Sequence, residues 1–254
     1  MVGNAENTIL NSTFRYNNAY NGGAIFGGTN KFTISNSSFS YNEASNSGGA
    51  ISQTVGLAII DRSIFTWNTA VYAGALGLSG DVKITNSVIS NNNAMYSGGL
   101  YYEGEVVWDH IIHYLIMHNC DVENNTAMVR GGAFGFDDAN VNITNCNIVN
   151  NFAPTYSTVF AQNYNTNIYA VGNWWGSIYG PDDSVWNAVQ YFRTWLSERV
   201  NWGSQDNGNS TEGPGTNGEV IILAVPTVTV TVTVTGMGMV TVTAFIGVLV
   251  LVLD

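Results

Sequence analysis

The feature that most constrains this chain is an internal repeat. One nine-residue frame recurs six times, and recurrences of one frame adopt one local structure. It reads N-S-T-F-R-Y-N-N-A from Asn11, N-S-S-F-S-Y-N-E-A from Asn36 and R-S-I-F-T-W-N-T-A from Arg62. It continues as N-S-V-I-S-N-N-N-A from Asn86, N-C-D-V-E-N-N-T-A from Asn119 and N-C-N-I-V-N-N-F-A from Asn145. The shared core is an apolar residue, two variable positions, Asn, one variable position and Ala. The frame asparagines, Asn17, Asn42, Asn68, Asn92, Asn125 and Asn151, are spaced by 25, 26, 24, 33 and 26 residues. A pair of small residues follows each of the first five frames: Gly22-Gly23, Gly48-Gly49, Ala73-Gly74, Gly98-Gly99 and Gly131-Gly132.

Short β-type runs between these turns (Thr33-Ile34, Ala50-Ile51, Val82-Ile84, Val141-Ile143) are too rich in strand formers for a repeat of paired helices. Each unit has room for about three strands of about 4 to 6 residues plus turns, so one unit is one coil of an all-β solenoid. Parallel stacking places equivalent residues about 4.8 Å apart, and about seven coils then make a rod roughly 34 Å long. Two columns follow. Phe14, Phe39, Phe65, Ile89, Val122 and Ile148 are assigned to a continuous core stack that buries apolar area along the axis. The frame asparagines are assigned to a structural ladder: Asn tolerates left-handed turns, and stacked amides pair donor to acceptor. Cys120 and Cys146 occupy one frame position in neighbouring coils, which puts their Cα atoms about 5 Å apart. That separation admits either a disulfide or a buried thiol pair.

Composition narrows the partners. Only 10% of the 254 residues are charged, against about 25% in ordinary soluble domains, so the 33 Asn supply the polar surface. Seven bases against 18 acids, net charge -11, exclude a nucleic-acid backbone as partner and disfavour anionic membrane surfaces. Met1 to Leu10 carry no secretory signal, so the start is expected to be a fragment boundary or to have its export information outside this chain.

F-R-Y-N paired with G-G-A-I at Gly22, and F-S-Y-N paired with G-G-A-I at Gly48, resemble the repeat of chlamydial polymorphic outer-membrane proteins. Together with N-W-W-G-S-I-Y-G-P at Asn173 to Pro181, they are more similar to adhesin-like surface proteins of methanogenic archaea, whose repeat region ends in such a motif. The resemblance covers about residues 7 to 181. It implies a right-handed parallel β-helix of the pectin-lyase type on a cell surface, with no catalytic residues. Ala73, Arg62 and a last coil without the Gly-Gly pair depart from the pattern and put local turn geometry in question.

Residues 1–181 are thus read as β-helix and 182–203 as a C-terminal cap. Residues 204–219 read as a flexible linker and 220–254 as a Val/Thr-rich β tail. The long interval carries an insertion of about eight residues within Glu103 to His118, and solenoid insertions emerge as loops on one face. Asp109, His110 and His113 make that loop a candidate binding site. Their spacing, with Glu103 and Glu105, fits no metal-ligand pattern, so neither metal nor cofactor is expected. Trp174 and Trp175 lead a tryptophan cluster that covers the end of the coil stack, as an exposed strand edge requires. A helix with Val185, Val189, Phe192 and Leu196 on one face follows from Asp182. Thr227 to Thr235 alternates as a strand, and Ala244 to Leu253 is too short an apolar run to span a bilayer.

Catalysis on a coil surface needs acids at one frame position in successive units, for a carboxylate pair or a calcium site. Asp61, Asp81, Asp121 and Asp138 fall at different positions, and Asp137-Asp138 and Asp182-Asp183 read as turn residues. The expectation is a non-catalytic, adhesin-like module meeting host or neighbour-cell glycans or proteins. A carbohydrate-active enzyme and a structural spacer are the alternatives. Sequons at Asn11, Asn36, Asn124, Asn142 and Asn209 suit an extracellular location.

Overall fold

A computed structural model describes residues 6–28, 31–53, 56–104, 106–107, 110–111, 113–162, 166–183, 185, 195–201, 230–232 and 240–242. The repeat folds into four parallel sheets, each built from one strand per coil. Sheet A has seven strands, from Glu6–Leu10 to Asn167–Tyr169, and sheet B has six, from Thr13–Arg15 to Asn147–Val149. Sheet C has five, from Asn18–Asn21 to Thr126–Arg130, and sheet D six, from Ile25–Gly27 to Val159–Gln162. The solenoid therefore makes about six turns, one fewer than the repeat suggests, because only sheet A reaches a seventh rung. Coils one to five each carry four short strands rather than three.

The fourth strand arises from an extra bend. At three corners of each of the six coils one residue adopts the left-handed conformation, in coil two Asn36 (φ 49°), Tyr41 (φ 55°) and Gly48 (φ 67°), and each turns the chain into the next sheet. At the B–C corner this residue is the one before the ladder asparagine: Tyr16, Tyr41, Trp67, Asn91, Asn124 and Asn150. The tolerance of Asn for left-handed geometry is thus not what selects the ladder. At the C–D corner the left-handed column is Gly22, Gly48, Ala73, Ser97, Gly131 and Tyr156, so Ala73 and Tyr156 keep the turn where Gly is missing. Arg62 (φ 46°) does the same at the A–B corner. Ser97 rather than Gly98 matches Gly131, which moves the expected Gly98-Gly99 pair by one residue. The next column, Gly23, Gly49, Gly74, Gly98 and Gly132, is held by close approach: a Cβ at Gly74 would lie 2.1 Å from the Gly98 carbonyl oxygen.

The core column runs as expected. Phe39, Phe65, Ile89 and Val122 are fully buried, Ile148 is nearly so, and Phe14 packs half-buried at the first rung. Phe14, Phe39 and Phe65 stack with ring centroids 4.8 and 4.9 Å apart.

The asparagine ladder is continuous. Each Asn from Asn17 to Asn125 donates its backbone N–H and its Nδ2 to the Oδ1 of the next coil's Asn. From Asn42 onward, Nδ2 also donates to the core residue's carbonyl one coil back, such as Phe65 for Asn92. Every buried amide group thereby finds a partner, which is what makes a polar column affordable inside a rod.

A second ladder runs at the A–B corner, and it explains the cysteines. The backbone N–H of Ser12, Ser37 and Ser63 donates to the Oγ of the next coil's serine, at 3.1 to 3.2 Å. Cys120 and Cys146 continue this column: Cys120 N–H donates to Cys146 Sγ at 3.3 Å, and Cys146 N–H donates to Asn173 Oδ1. Both are buried free thiols, so the disulfide alternative is not realised. Their sulfurs point to different carbonyls, Cys120 to Ile84 and His118, Cys146 to Thr144.

The insertion forms a small antiparallel pair, Val106–Val107 with His110–Ile111, between the sheet D strand ending at Glu103 and the sheet A strand starting at Tyr114. At the C-terminal end Trp175 (8% exposed) and Val185 join the core, and Trp195 packs against it. Trp174 extends sheet B, accepting from Ile148 N–H and donating to the Cys146 carbonyl. Asp183 and Val185 are helical. Val189, Phe192, Trp186 and Trp202 lie outside the described residues. Residues 221–254 are a separate compact unit, in which Val230–Val232 pairs antiparallel with Val240–Val242. Among the described residues no helix is long and apolar enough to cross a membrane.

Candidate functional site

Solvent meets three organised surfaces on the coils, each set by the corner geometry. The first is the outward column at the B–C corner. A left-handed residue turns its side chain away from the core, so Tyr16, Tyr41 and Trp67 project outward, 70%, 43% and 52% exposed. Their rings stack at 5.2 and 6.2 Å with planes 17° and 5° apart, and the Arg15 guanidinium lies 5.2 Å from the Tyr16 ring. The same column continues as Asn91, Asn124 and Asn150. Where rings give way to amides, a depression of about 250 Å³ opens, lined by Trp67, Thr69, Asn91, Asn93, Asn124 and Thr126. Nothing in it is charged.

The second surface lies at the end of sheet D. Ser79, Glu103, Asp137 and Gln162 face one another rung by rung, so two acids do share a frame position in adjacent coils. This corrects the expectation that acids never recur at one position. Tyr101 donates its hydroxyl to Asp137 Oδ2 at 3.4 Å. Burial, then Asp137 and Glu103, push that hydroxyl above its ordinary range and keep it a donor. Burial, then the charges of Asp137 and Asp138, raise the Glu103 carboxyl above the usual carboxylate range. Arg130 stands nearby, 3.8 Å from the Phe160 ring centroid and donating to Gln162 Oε1.

The third surface is a clasp. Arg199 bridges Asp121, at 2.9 Å, and Glu123 on the outer face of sheet B. Asn147 fixes the same segment by donating to the Val200 carbonyl and accepting from Val200 N–H. Its partners are all internal, which marks it as a fastening for the cap.

Of the candidate loop residues, His110 and His113 are described. Asp109 lies outside the described residues, and His110 sits in the short strand His110–Ile111. His113 pairs with Asp81 Oδ1 at 3.3 Å, the carboxylate that also accepts from Tyr114 N–H. Among the described residues no group of three or more His, Cys, Asp or Glu is arranged to hold a metal. The aromatic column is present in the repeat as the Y, Y and W that precede the first three frame asparagines. The Glu103–Asp137 pair was hidden by register. Matching Gly98-Gly99 to Gly131-Gly132 sets Glu103 beside Phe136, whereas matching Ser97 to Gly131 sets it beside Asp137.

No curated protein and no solved structure matches the chain. The family model described as right handed beta helix region matches residues 1–174. With about six parallel coils and a continuous asparagine ladder beneath that match, the chain belongs to the right-handed β-helix family.

Proposed function

We propose that this β-helix is a non-catalytic, adhesin-like module of the cell exterior that presents a rigid side to cells, matrix or glycans. The observation that carries this reading is the B–C corner. Coils four to six fill the outward position with asparagine, which satisfies the turn. Coils one to three instead place Tyr16, Tyr41 and Trp67 there, each 43 to 70% exposed to water. Exposed aromatic side chains held in a rigid row are costly to leave wet and serve as contact groups. The sequons and the resemblance to archaeal surface proteins support the same placement. Binding of the purified chain to intact cells and to a glycan array tests it. Attachment to at least one surface is expected, and absence of any binding would leave a structural spacer.

A second reading, cleavage of glycosidic bonds, draws on one observation. Glu103, with a raised carboxyl pKa, stands one rung from Asp137, which accepts from Tyr101, and glycoside hydrolysis uses two neighbouring carboxyl groups in different environments. Release of reducing ends from a polysaccharide panel, abolished by Glu103→Gln, would establish this reading; no turnover on any member would remove it.

A further inference from the structure

We propose that the depression beside Trp67 is a subsite for one neutral pyranose ring of an extended glycan. The sugar takes the position at which the aromatic ladder stops. The inference rests on the attachment reading and names the ligand class for it.

The geometry begins with the stack. Trp67 is parallel to Tyr41 within 5°, so one indole face is turned to Tyr41 and the opposite face is turned toward coil four. There the next member of the column is Asn91, too short to cover an indole. The uncovered face and the asparagines of coils four and five enclose about 250 Å³, room for one sugar ring and too little for a drug-sized ligand. A pyranose has one face made of C–H bonds, and such a face lies favourably on the electron-rich face of an indole. It would occupy the ring place of coil four, continuing the Tyr16–Tyr41–Trp67 stack by one member.

The rest of the lining supplies what a sugar's rim needs. Asn91, Asn93 and Asn124 carry amides that both donate and accept, and Thr69 and Thr126 carry hydroxyls. Among the described residues, these three amides make no side-chain hydrogen bond within the protein, unlike the ladder Asn92 behind them. Hydroxyl groups of a ligand would therefore replace water without breaking an internal network. The lining holds no cation, and the net charge is -11, so the site suits neutral sugars and disfavours uronates. The direction of the chain also follows. Rungs repeat about every 4.8 Å, close to the advance of one sugar in an extended β-linked chain, so neighbouring sugars would run along the rod past Asn124 and Asn150. Asn124 heads the sequon Asn124-Asn125-Thr126, so a glycan carried on the protein and a free glycan present the same chemistry to this site.

The test uses the full chain made in bacterial cytoplasm, where Asn124 is unmodified. Tetrasaccharides of β-1,4-linked glucose, mannose and N-acetylglucosamine, and tetragalacturonate as the charged control, are titrated with saturation-transfer NMR and tryptophan fluorescence. At least one neutral tetrasaccharide is expected to bind, with Trp67→Ala weakening it about tenfold or more. Trp67→Phe is expected to retain part of the binding, and Tyr114→Ala, at an exposed aromatic on sheet A, all of it. Melting curves of the Trp67 variants should match the parent, because this side chain is half in solvent. Binding unchanged in Trp67→Ala, preference for tetragalacturonate, or no neutral sugar bound by the parent would each overturn the subsite. Intact-cell binding by the Trp67→Ala protein separates the two claims. If it persists, the attachment reading stands without this site. If the parent attaches to nothing, that reading itself fails.

Discussion

Replacing Asn92 by Ala probes the ladder where it is most fully engaged. Its side chain, 1% exposed, makes four hydrogen bonds. Nδ2 donates to the Phe65 carbonyl at 3.0 Å and to Asn125 Oδ1 at 2.9 Å, and Oδ1 accepts the backbone N–H and the Nδ2 of Asn68 at 2.9 and 3.0 Å. Each bond contributes about 1 kcal/mol net, and the buried Asn68 N–H left without an acceptor adds about 1 to 3 kcal/mol, so the substitution costs about 5 to 7 kcal/mol. Asn17 provides the internal comparison. It stands at the first rung, exposed, and only donates, to Asn42 Oδ1. Asn17→Ala should cost about 1 kcal/mol or less, since the Asn42 oxygen keeps water as a partner. Asn92→Asp adds a third point: it preserves both acceptor bonds but turns a carboxylate toward the Phe65 carbonyl and Asn125 Oδ1, and should be at least as damaging as Ala. Urea unfolding followed by far-ultraviolet circular dichroism, with the residues 1–220 unit as the reporter, measures all three. Equal losses at Asn17 and Asn92 would refute the reasoning, because they would mean that the ladder bonds add nothing beyond a single exposed amide.

Three further outcomes follow from other columns. Gly74→Ala, whose Cβ would sit 2.1 Å from the Gly98 carbonyl oxygen, should lower the melting temperature sharply, by about 2 to 4 kcal/mol of stability, whereas a Cβ at Gly27 meets nothing within 4 Å and Gly27→Ala should be close to neutral. Cys146→Ser should be tolerated within about 1 kcal/mol, because serine already fills this ladder position in coils one to four. In the parent protein neither thiol should react with a disulfide reagent before unfolding, since both are buried and burial pushes the Cys146 thiol up. Glu103 sets a pH dependence of the opposite sign to a paired carboxylate. Its folded pKa is raised, so ionising it costs stability above the ordinary carboxylate range, and that penalty is relieved as pH falls through the folded value. Glu103→Gln should therefore raise the melting temperature at pH 7 and leave it unchanged at pH 3.

What could be read from the chain alone was whatever one coil repeats to the next. Phe39 and Phe65 fall in register because the frame that carries them has nearly constant length, and the amide of Asn68 finds that of Asn92 for the same reason. Bends within a coil were less legible. Tyr41 and Trp67 hold left-handed backbone that their side chains do not advertise, so four strands per turn were read as three. Coils two and five place one extra residue between ladder Asn and turn, as in Asn42 to Gly48 against Asn17 to Gly22. Shifts of register in sheet C absorb it. That single residue displaced Gly98 from its true place and concealed the meeting of Glu103 with Asp137. The cysteines were legible only as two alternatives for a related reason: spacing shows that two sulfurs are adjacent, but only the serine column around them shows that each is a hydrogen-bonding link. The cap was legible in part, since Trp175 covers the core end, while the Arg199 clasp spans 78 residues and leaves no local pattern.

Stacking of the coils in register underlies every one of these expectations, and distances along the rod test it most directly. Asn18, Glu43, Thr69, Asn93 and Thr126 are register partners on sheet C in coils one to five. Spin labels at Asn18 with Asn93, and at Asn18 with Thr126, span three and four rungs, about 14 and 19 Å of backbone at about 4.8 Å per rung. Pulsed electron resonance should give two narrow distributions whose centres differ by about 5 Å, one rung. Equal distances, or a separation that does not follow the number of coils between the labels, would contradict the stacked rod and every ladder drawn along it.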